Sequence, residues 1–146
     1  MTPPRDGAVR VLCVDDNELV ARSIALRLRR ESDIDCLGAI HDGTEICRRV
    51  QQHRPDIVLM DVDMPGVDTF AIVDQLAAES PEIKVIMLSG HVNHSFISQA
   101  LDSGAWGYLS KDEDVAMLID SVRRVAGGEV VFSREVQSVM RASEAD

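Results

Sequence analysis

Short apolar runs alternate along this chain with longer segments of helical periodicity, and this alternation restricts the fold more than any other feature. The runs are Val9–Val14, Ile34–Ile40, Ile57–Met60, Ile83–Leu88 and Ala105–Leu109. The first, third and fourth are almost entirely apolar, which is typical of strands covered on both faces. Right-handed crossovers through the intervening segments place such strands in one parallel sheet. The sequence therefore predicts an α/β fold with five strands.

The segments between the runs carry apolar residues at spacings of three and four, as amphipathic helices do. The clearest stripes are Val20, Ile24 and Leu28, and near the end Val115, Leu118, Ile119, Val122 and Val125. Asp68 is placed to cap the third helix, Gly104 to end the fourth, and Gly127 with Gly128 to end the fifth. Five helices are thus predicted, packed on both faces of the sheet.

Length and charge exclude several kinds of protein. A chain of 146 residues forms one domain with a short tail. Its net charge of -10 argues against direct nucleic-acid binding, and no apolar run is long enough to span a membrane. The first ten residues do not resemble a signal peptide, so a cytoplasmic protein is expected. Cys13, Cys36 and Cys47 share no metal-binding spacing and are interpreted as small buried apolar residues.

Polar residues follow four of the predicted strands at the edge where parallel sheets bind ligands. Asp15 and Asp16 follow the first strand, Asp61 the third, Ser89 and Gly90 the fourth, and Ser110 and Lys111 the fifth. Three converging carboxylates repel one another unless a cation or proton neutralises them. Mg²⁺, or Mn²⁺, suits such oxygen ligands, while a lysine and a hydroxyl suit phosphoryl oxygens. This edge is predicted to place a phosphoryl group on a carboxylate.

Residues 8–128 resemble the receiver domain of bacterial response regulators. The motifs that carry the resemblance are VLCVDDNELV, DIVLMDVDMPGVD, VIMLSG and GAWGYLSKD. Within the family, GYLSKD followed by a helix and then GGEVVFS is similar to the NarL/LuxR-type subgroup. The resemblance implies a flavodoxin-like (βα)₅ fold with strand order 2-1-3-4-5. It also implies that residues 129–146 are a tail or the start of a linker helix to an effector domain. The residues themselves predict a short extended piece after Gly128 and then a weak helix with Ser133 as its cap.

The resemblance assigns a role to each matching residue. It implies that Asp61 is the phosphoacceptor, modified by a sensor histidine kinase or a small acyl phosphate. Asp16 binds Mg²⁺ directly, Asp15 binds it through water, and Asp61 and the backbone carbonyl of Asp63 complete the ligands. Lys111, Ser89 and Gly90 contact phosphoryl oxygens, and Tyr108 turns inward behind Ser89. No enzyme activity is expected beyond self-phosphorylation and autodephosphorylation.

Phosphorylation adds charge and acceptor oxygens that Ser89 and Lys111 can reach, and such contacts can shift a two-state loop. The expected output surface is the face formed by the fourth helix, fifth strand and fifth helix. It is expected to control a LuxR-type DNA-binding output, with no direct DNA binding by this chain. Homodimerisation is compatible with the family, but no stripe in the sequence selects a surface.

Four residues depart from the family pattern or add to it. Asp63 places an additional carboxylate near the site, and His91 is expected to face it across the mouth of the pocket. Both are predicted to change the phosphoryl lifetime, although an outward-pointing Asp63 is an equal alternative. Thr69 stands where the family has glycine, so the turn before the third helix is expected to differ. Asp112 follows Lys111 where many receivers have proline, which leaves open the cis peptide of those receivers.

Two other functions stay open from the sequence. Asp61 and Asp63 form a DxD pair after an apolar strand, which resembles the nucleophile and general acid of haloacid-dehalogenase-type phosphatases. In that family, however, the motif follows the first strand. The second alternative is a receiver that signals through protein contacts without phosphorylation. The complete set Asp15, Asp16, Asp61, Ser89 and Lys111 argues against it.

Overall fold

The computed structural model describes residues 7–144, and its centre is a six-stranded parallel sheet. The strands are β1 (Val9–Val14), β2 (Ile34–Ile40), β3 (Ile57–Asp61), β4 (Lys84–Ser89), β5 (Gly107–Ser110) and β6 (Val131–Phe132). Their spatial order is β2-β1-β3-β4-β5-β6. The predicted order 2-1-3-4-5 is therefore confirmed, and a sixth strand extends it beyond β5.

Six helices cover the two faces of this sheet. They are α1 (Glu18–Leu28), α2 (Ile46–His53), α3 (Thr69–Glu79), α4 (His94–Asp102), α5 (Val115–Ala126) and α6 (Arg134–Glu144). Side chains of α1 and α5 form one apolar core with one face of the sheet, and those of α2, α3, α4 and α6 form a second core with the other. Burial on both faces explains why the inner strands read as continuous apolar runs.

The helix ends follow the capping residues that the sequence contains. The Asp68 carboxylate accepts a hydrogen bond from the Ala71 N–H at the start of α3. After α4, Gly104 has a positive φ of 99°, and after α5 Gly128 has a φ of 96°. Such angles favour glycine because it has no Cβ. The predicted ends of these three helices are thus confirmed.

The edge strand β2 is irregular. Its register with β1 shifts by one residue, since Val11 pairs with Cys36 whereas Leu12 pairs with Gly38. Leu37 is the additional residue of this bulge, and Gly38 next to it has a φ of 141°. Bulges of this kind bend and twist the strand that contains them.

The C-terminal residues pack onto the domain at the opposite edge. Gly107 and Tyr108 of β5 pair with Val131 and Phe132 of β6. From there α6 runs over β5 and α4, and Val136 is fully buried in the core beneath it. The chain from Gly7 to Glu144 contains no helix that is long and apolar enough to cross a bilayer.

Candidate functional site

The carboxyl ends of β1, β3, β4 and β5 meet at one edge of the sheet, as the parallel arrangement requires. Asp15 directly follows β1, and Asp61 and Ser89 are the last residues of β3 and β4. Lys111 directly follows β5. The structure therefore brings together the polar residues that the sequence places after separate strands.

Three carboxylates form the acidic part of the site. One oxygen from each of Asp15, Asp16 and Asp61 lies within 4.8 Å of the others. Asp15 and Asp61 are buried, whereas Asp16 is exposed at the mouth. Asp15 is also held by its own loop, because its Oδ1 accepts a hydrogen bond of 2.9 Å from the Asn17 N–H.

Lys111 bridges two of these acids. Its Nζ lies 2.9 Å from Asp15 Oδ2 and 3.1 Å from Asp61 Oδ1. Burial alone lowers the pKa of the ammonium, but the contacts with Asp15 and Asp61 outweigh it, so the pKa of Lys111 lies above its usual value. The lysine is therefore charged, and it partly neutralises the acidic cluster.

Asp61 has an unusual environment for a carboxylate. Burial raises its pKa from 3.8 to about 6, and the negative charge of Asp15 adds to this effect. The Asp63 N–H and Lys111 oppose it by hydrogen-bonding Oδ1, at 3.0 Å and 3.1 Å. Among the described residues, none is found to donate a hydrogen bond to Oδ2. The two oxygens of Asp61 are thus inequivalent, since only Oδ1 is hydrogen-bonded by these residues.

Thr69, the first residue of α3, holds the loop after β3 in place through a hydrogen bond. The Thr69 hydroxyl donates a buried hydrogen bond of 2.8 Å to the Val62 carbonyl. This contact is the local difference expected where the family has glycine. Asp63 is exposed, and in the part of the chain described no hydrogen bond or ion pair joins its side chain to that of His91. That His91 faces Asp63 across the mouth of the pocket stays a prediction.

Ser89 is buried, and its hydroxyl is bound within its own loop. It donates to the His91 carbonyl at 2.6 Å and accepts from the His91 N–H at 3.0 Å. The main chain of His91 thus fixes the Ser89 hydroxyl in this state. Gly90 is exposed between them, and open space surrounds the position of a Cβ there. In this state Ser89 is not directed at Asp61.

Tyr108 is fully buried in β5 and points into the core shared by α4 and α6. Burial raises the pKa of its hydroxyl, and the neighbouring Ser89 hydroxyl partly opposes this. Although the two groups are neighbours, their geometry does not form a hydrogen bond, and the Tyr108 hydroxyl has no partner within residues 7–144. The ring is thus already inward without a phosphoryl group, whereas the resemblance implies that it turns inward on phosphorylation.

Three contacts around the Lys111 loop were not predicted from the sequence. The Ser110 N–H donates to the Ser133 hydroxyl at 3.1 Å, and the Glu135 N–H donates to the Glu113 carboxylate at 2.9 Å. The Lys111 N–H donates to the Ser89 carbonyl at 2.8 Å. Ser133 lies at the N-cap position of α6 that the sequence predicts, because its carbonyl accepts a hydrogen bond of 2.9 Å from the Gln137 N–H. Its hydroxyl is bound to the Ser110 N–H instead, and it is the Glu113 carboxylate that accepts from the Glu135 N–H at the start of the helix.

Every peptide bond in the described chain is trans, including the one between Lys111 and Asp112. The Lys111 loop is therefore built without the cis peptide that the resemblance left open.

The sequence matches the family model of the response regulator receiver domain over residues 11–123. The response regulator protein VraR of Staphylococcus saprophyticus is 33% identical over 133 residues, and the match covers 91% of this chain and 64% of VraR. VraR of Staphylococcus aureus is 35% identical with the same coverage. The chain thus spans about 64% of the length of these curated relatives.

Solved structures agree with this match. A two-component response regulator of the LuxR family from Aurantimonas sp. SI85-9A1 superposes with a TM-score of 0.90, at 22% identity, covering 95% of this chain and 99% of that one. At this identity the likeness shows the fold alone. The receiver domain of a response regulator NarL from Mycobacterium tuberculosis is 28% identical with a TM-score of 0.79, covering 84% and 98% of the two chains.

Receiver domains of this kind signal rather than act as conventional enzymes. The family match also sets aside the phosphatase alternative, whose DxD motif follows the first strand and not the third. By its sequence and its fold, the chain belongs to the response regulator receiver domain family.

Proposed function

We propose that the chain accepts a phosphoryl group on Asp61 from a sensor histidine kinase, and that a divalent cation assists the transfer. One observation carries this proposal. A buried carboxylate with a free oxygen lies against two further carboxylates and a charged lysine, at the ligand-binding edge of the sheet. A structural ion pair consists of one acid and one base. The additional carboxylates here repel one another, which a structural role does not explain.

The acidic cluster fits Mg²⁺, or Mn²⁺ in its place. Its donors are all carboxylate oxygens, which hard divalent cations prefer, and their separation allows one ion to contact several of them. Asp15, Asp16 and Asp61 would hold the ion together with the main-chain carbonyl of Asp63. When bound, the ion supplies positive charge that stabilises the phosphoryl oxygens during transfer.

In the transfer step, Asp61 Oδ2 attacks the phosphorus of a phosphohistidine. A new P–O bond forms while the P–N bond to the donor imidazole breaks, and the electron pair leaves with the imidazole nitrogen. An acyl phosphate donor reacts in the same way, with a carboxylate as the leaving group. Lys111, already within 3.1 Å of Asp61, pairs with the phosphoryl oxygens as charge accumulates on them. Gly90 leaves the approach to the site open.

The switch follows from the same contacts. Ser89 gives up its hydrogen bonds to His91 and donates to a phosphoryl oxygen, which shifts the loop before α4. Tyr108 holds the inward position behind Ser89, and α4, β5 and α5 carry the change to the output. Asp63 and the exposed His91 both act on the phosphoryl lifetime.

We assign the receiver to residues 8–128 and the residues after it to the connection with an effector. In the whole protein the output is control of transcription through a LuxR-type DNA-binding domain, and DNA contact belongs to that domain rather than to this receiver. The protein acts in the cytoplasm, where the kinase and the genes it controls are accessible. Self-association of two receivers is compatible with this role.

Incubation with acetyl phosphate and Mg²⁺, followed by intact mass spectrometry, tests the proposal. The parent protein is expected to gain a single phosphoryl group, and chelation of the metal is expected to slow the gain strongly. Asp61→Asn is the decisive variant, and Asp120→Asn is its matched control, since it neutralises an exposed acid on α5 that has no role at the site.

Phosphorylation of Asp61→Asn at the rate of the parent would refute the assignment of the phosphoacceptor. Absence of any adduct in the parent, with acetyl phosphate and with a phosphorylated kinase alike, would refute the function as a whole and favour signalling by contact alone.

A further inference from the structure

The C-terminal segment Val131–Glu144, called here the β6–α6 segment, holds the strand and loop that present Lys111. Two of its hydrogen bonds hold the strand: the Val131 N–H donates to the Trp106 carbonyl at 3.0 Å, and the Ser133 N–H donates to the Tyr108 carbonyl at 3.2 Å. Two more hold the loop: the Ser133 hydroxyl accepts from the Ser110 N–H at 3.1 Å, and the Glu135 N–H donates to the Glu113 carboxylate at 2.9 Å. Lys111 lies between two of these attachment points, Ser110 and Glu113. A movement of the Lys111 loop is thus coupled to a movement of α6 through these hydrogen bonds.

The same segment covers Tyr108. Val136 of α6 is fully buried in one core cluster with Tyr108 and with Ile97 of α4. Phe132 pairs with Tyr108 in the sheet and packs against that cluster. As long as α6 is docked, the tyrosine ring has protein on every side and is held in its inward position.

The Tyr108 hydroxyl is a buried donor that no described residue satisfies. Its neighbour, the Ser89 hydroxyl, is occupied by the main chain of His91 in this state. When Ser89 leaves His91 to donate to a phosphoryl oxygen, its own oxygen becomes free to accept the Tyr108 proton. A buried donor without a partner is unfavourable, so satisfying it favours the phosphorylated arrangement.

We propose that docking of the β6–α6 segment and phosphorylation of Asp61 stabilise one another through Tyr108 and Ser89. Docking keeps Tyr108 inward, where it supports the Ser89 position needed at the phosphoryl group. Binding linkage requires the reverse effect to be equally large, so phosphorylation also holds α6 more firmly. The inference rests on the proposed function, because it needs Asp61 to be the modified residue.

Hydrogen exchange of the full chain tests the first half of this linkage. Fluoroberyllate with Mg²⁺ serves as a stable mimic of the phosphoryl group, and its binding is followed separately by ¹⁹F NMR. Amides of α6 are expected to exchange about five-fold more slowly with the mimic bound, which is at the low end of ordinary coupling factors. Asp61→Asn, which does not bind the mimic, is expected to show no such slowing.

Variants that undock α6 test the second half. Val136→Asp places a charge in the buried contact, whereas Ser138→Asp adds the same charge to the exposed face of the same helix. The first is expected to weaken fluoroberyllate binding about five-fold, and the second to leave it unchanged. Glu113→Ala removes the acceptor for the Glu135 N–H without disturbing the core. It should weaken binding in the same direction, and Glu113→Gln, which keeps an acceptor oxygen, should restore it.

The outcomes separate the two proposals. Failure of the parent to bind the mimic contradicts the function proposed for Asp61. Normal binding in the parent, with equal affinity in Val136→Asp and Glu113→Ala and unchanged exchange in α6, overturns the linkage and leaves that function intact.

Discussion

Replacing Asp61 by asparagine is expected to stabilise the metal-free protein at neutral pH, although it removes the proposed phosphoacceptor. Burial, reinforced by Asp15, raises the pKa of Asp61 to about 6, against 3.8 for an ordinary aspartate. At about 1.4 kcal/mol per pKa unit, an ionised Asp61 destabilises the folded state by about 3 kcal/mol at pH 7. Asparagine has the same shape without the charge, so the free energy of unfolding should rise by about that amount.

The pH dependence gives this prediction its sign. A carboxylate with a raised pKa binds more protons in the folded state than in the unfolded state between about pH 4 and pH 6. The contribution of Asp61 to the stability of the parent therefore falls as the pH rises through this interval, and Asp61→Asn lacks this contribution. The stability difference should be small near pH 4 and reach its full size above about pH 6.5.

Urea unfolding in the presence of a chelator measures this difference, with the fluorescence of Trp106 as the signal. Asp120→Asn is a suitable control because it neutralises an exposed acid on α5, and it should change stability by less than about 0.5 kcal/mol. The reasoning fails if Asp61→Asn is no more stable than the parent at pH 7, or if the gain is the same at every pH. Added Mg²⁺ should reduce the gain, because it stabilises only the parent.

Three further changes test other contacts. Lys111→Met leaves the buried carboxylates of Asp15 and Asp61 without their cation, so the free energy of unfolding should fall by about 2 kcal/mol at pH 7. In a thermal melt, added Mg²⁺ should restore part of this loss. Thr69→Val removes the buried hydrogen bond to a main-chain carbonyl and should cost about 1–2 kcal/mol in urea unfolding, whereas Thr69→Ser should lose much less. Gly43→Ala places a methyl group against the side chain of Val67 and should lower the free energy of unfolding in urea by about 1–3 kcal/mol. In Gly90→Ala the methyl group enters open space, so the stability should hardly change. Equal effects of the two variants would contradict the packing around Gly43.

The sequence predicts the inner sheet well because burial on both faces leaves a strong signal. The bounds of β1 and β2 are as predicted, and β3 extends one residue further, to Asp61. The strands β4 and β5 begin one and two residues later than expected, since the ends of strands depend on neighbours rather than on local pattern. For β6 the sequence shows only an extended piece. Its two residues become a strand because β5 offers them an unpaired edge.

The site was predictable in its residue types but not in its contacts. Parallel strands bring their carboxyl ends together, so the meeting of Asp15, Asp61 and Lys111 follows from topology. That Lys111 bridges both acids in this state does not follow from spacing, because it depends on the depth at which each acid is buried. The contact between Glu113 and α6 was also not predictable from the sequence, because Glu113 accepts from a main-chain N–H, which any residue except proline has.

The strand order also bears on how the domain avoids aggregation. A parallel sheet has two open edges, and each could pair with another chain. One edge is β2, whose bulge at Leu37 and Gly38 interrupts the regular row of donors and acceptors. At the other edge the two-residue β6 replaces the longer and fully buried β5. A version of the chain that ends at Gly128 would uncover β5, and it should self-associate through that edge more readily than the full chain.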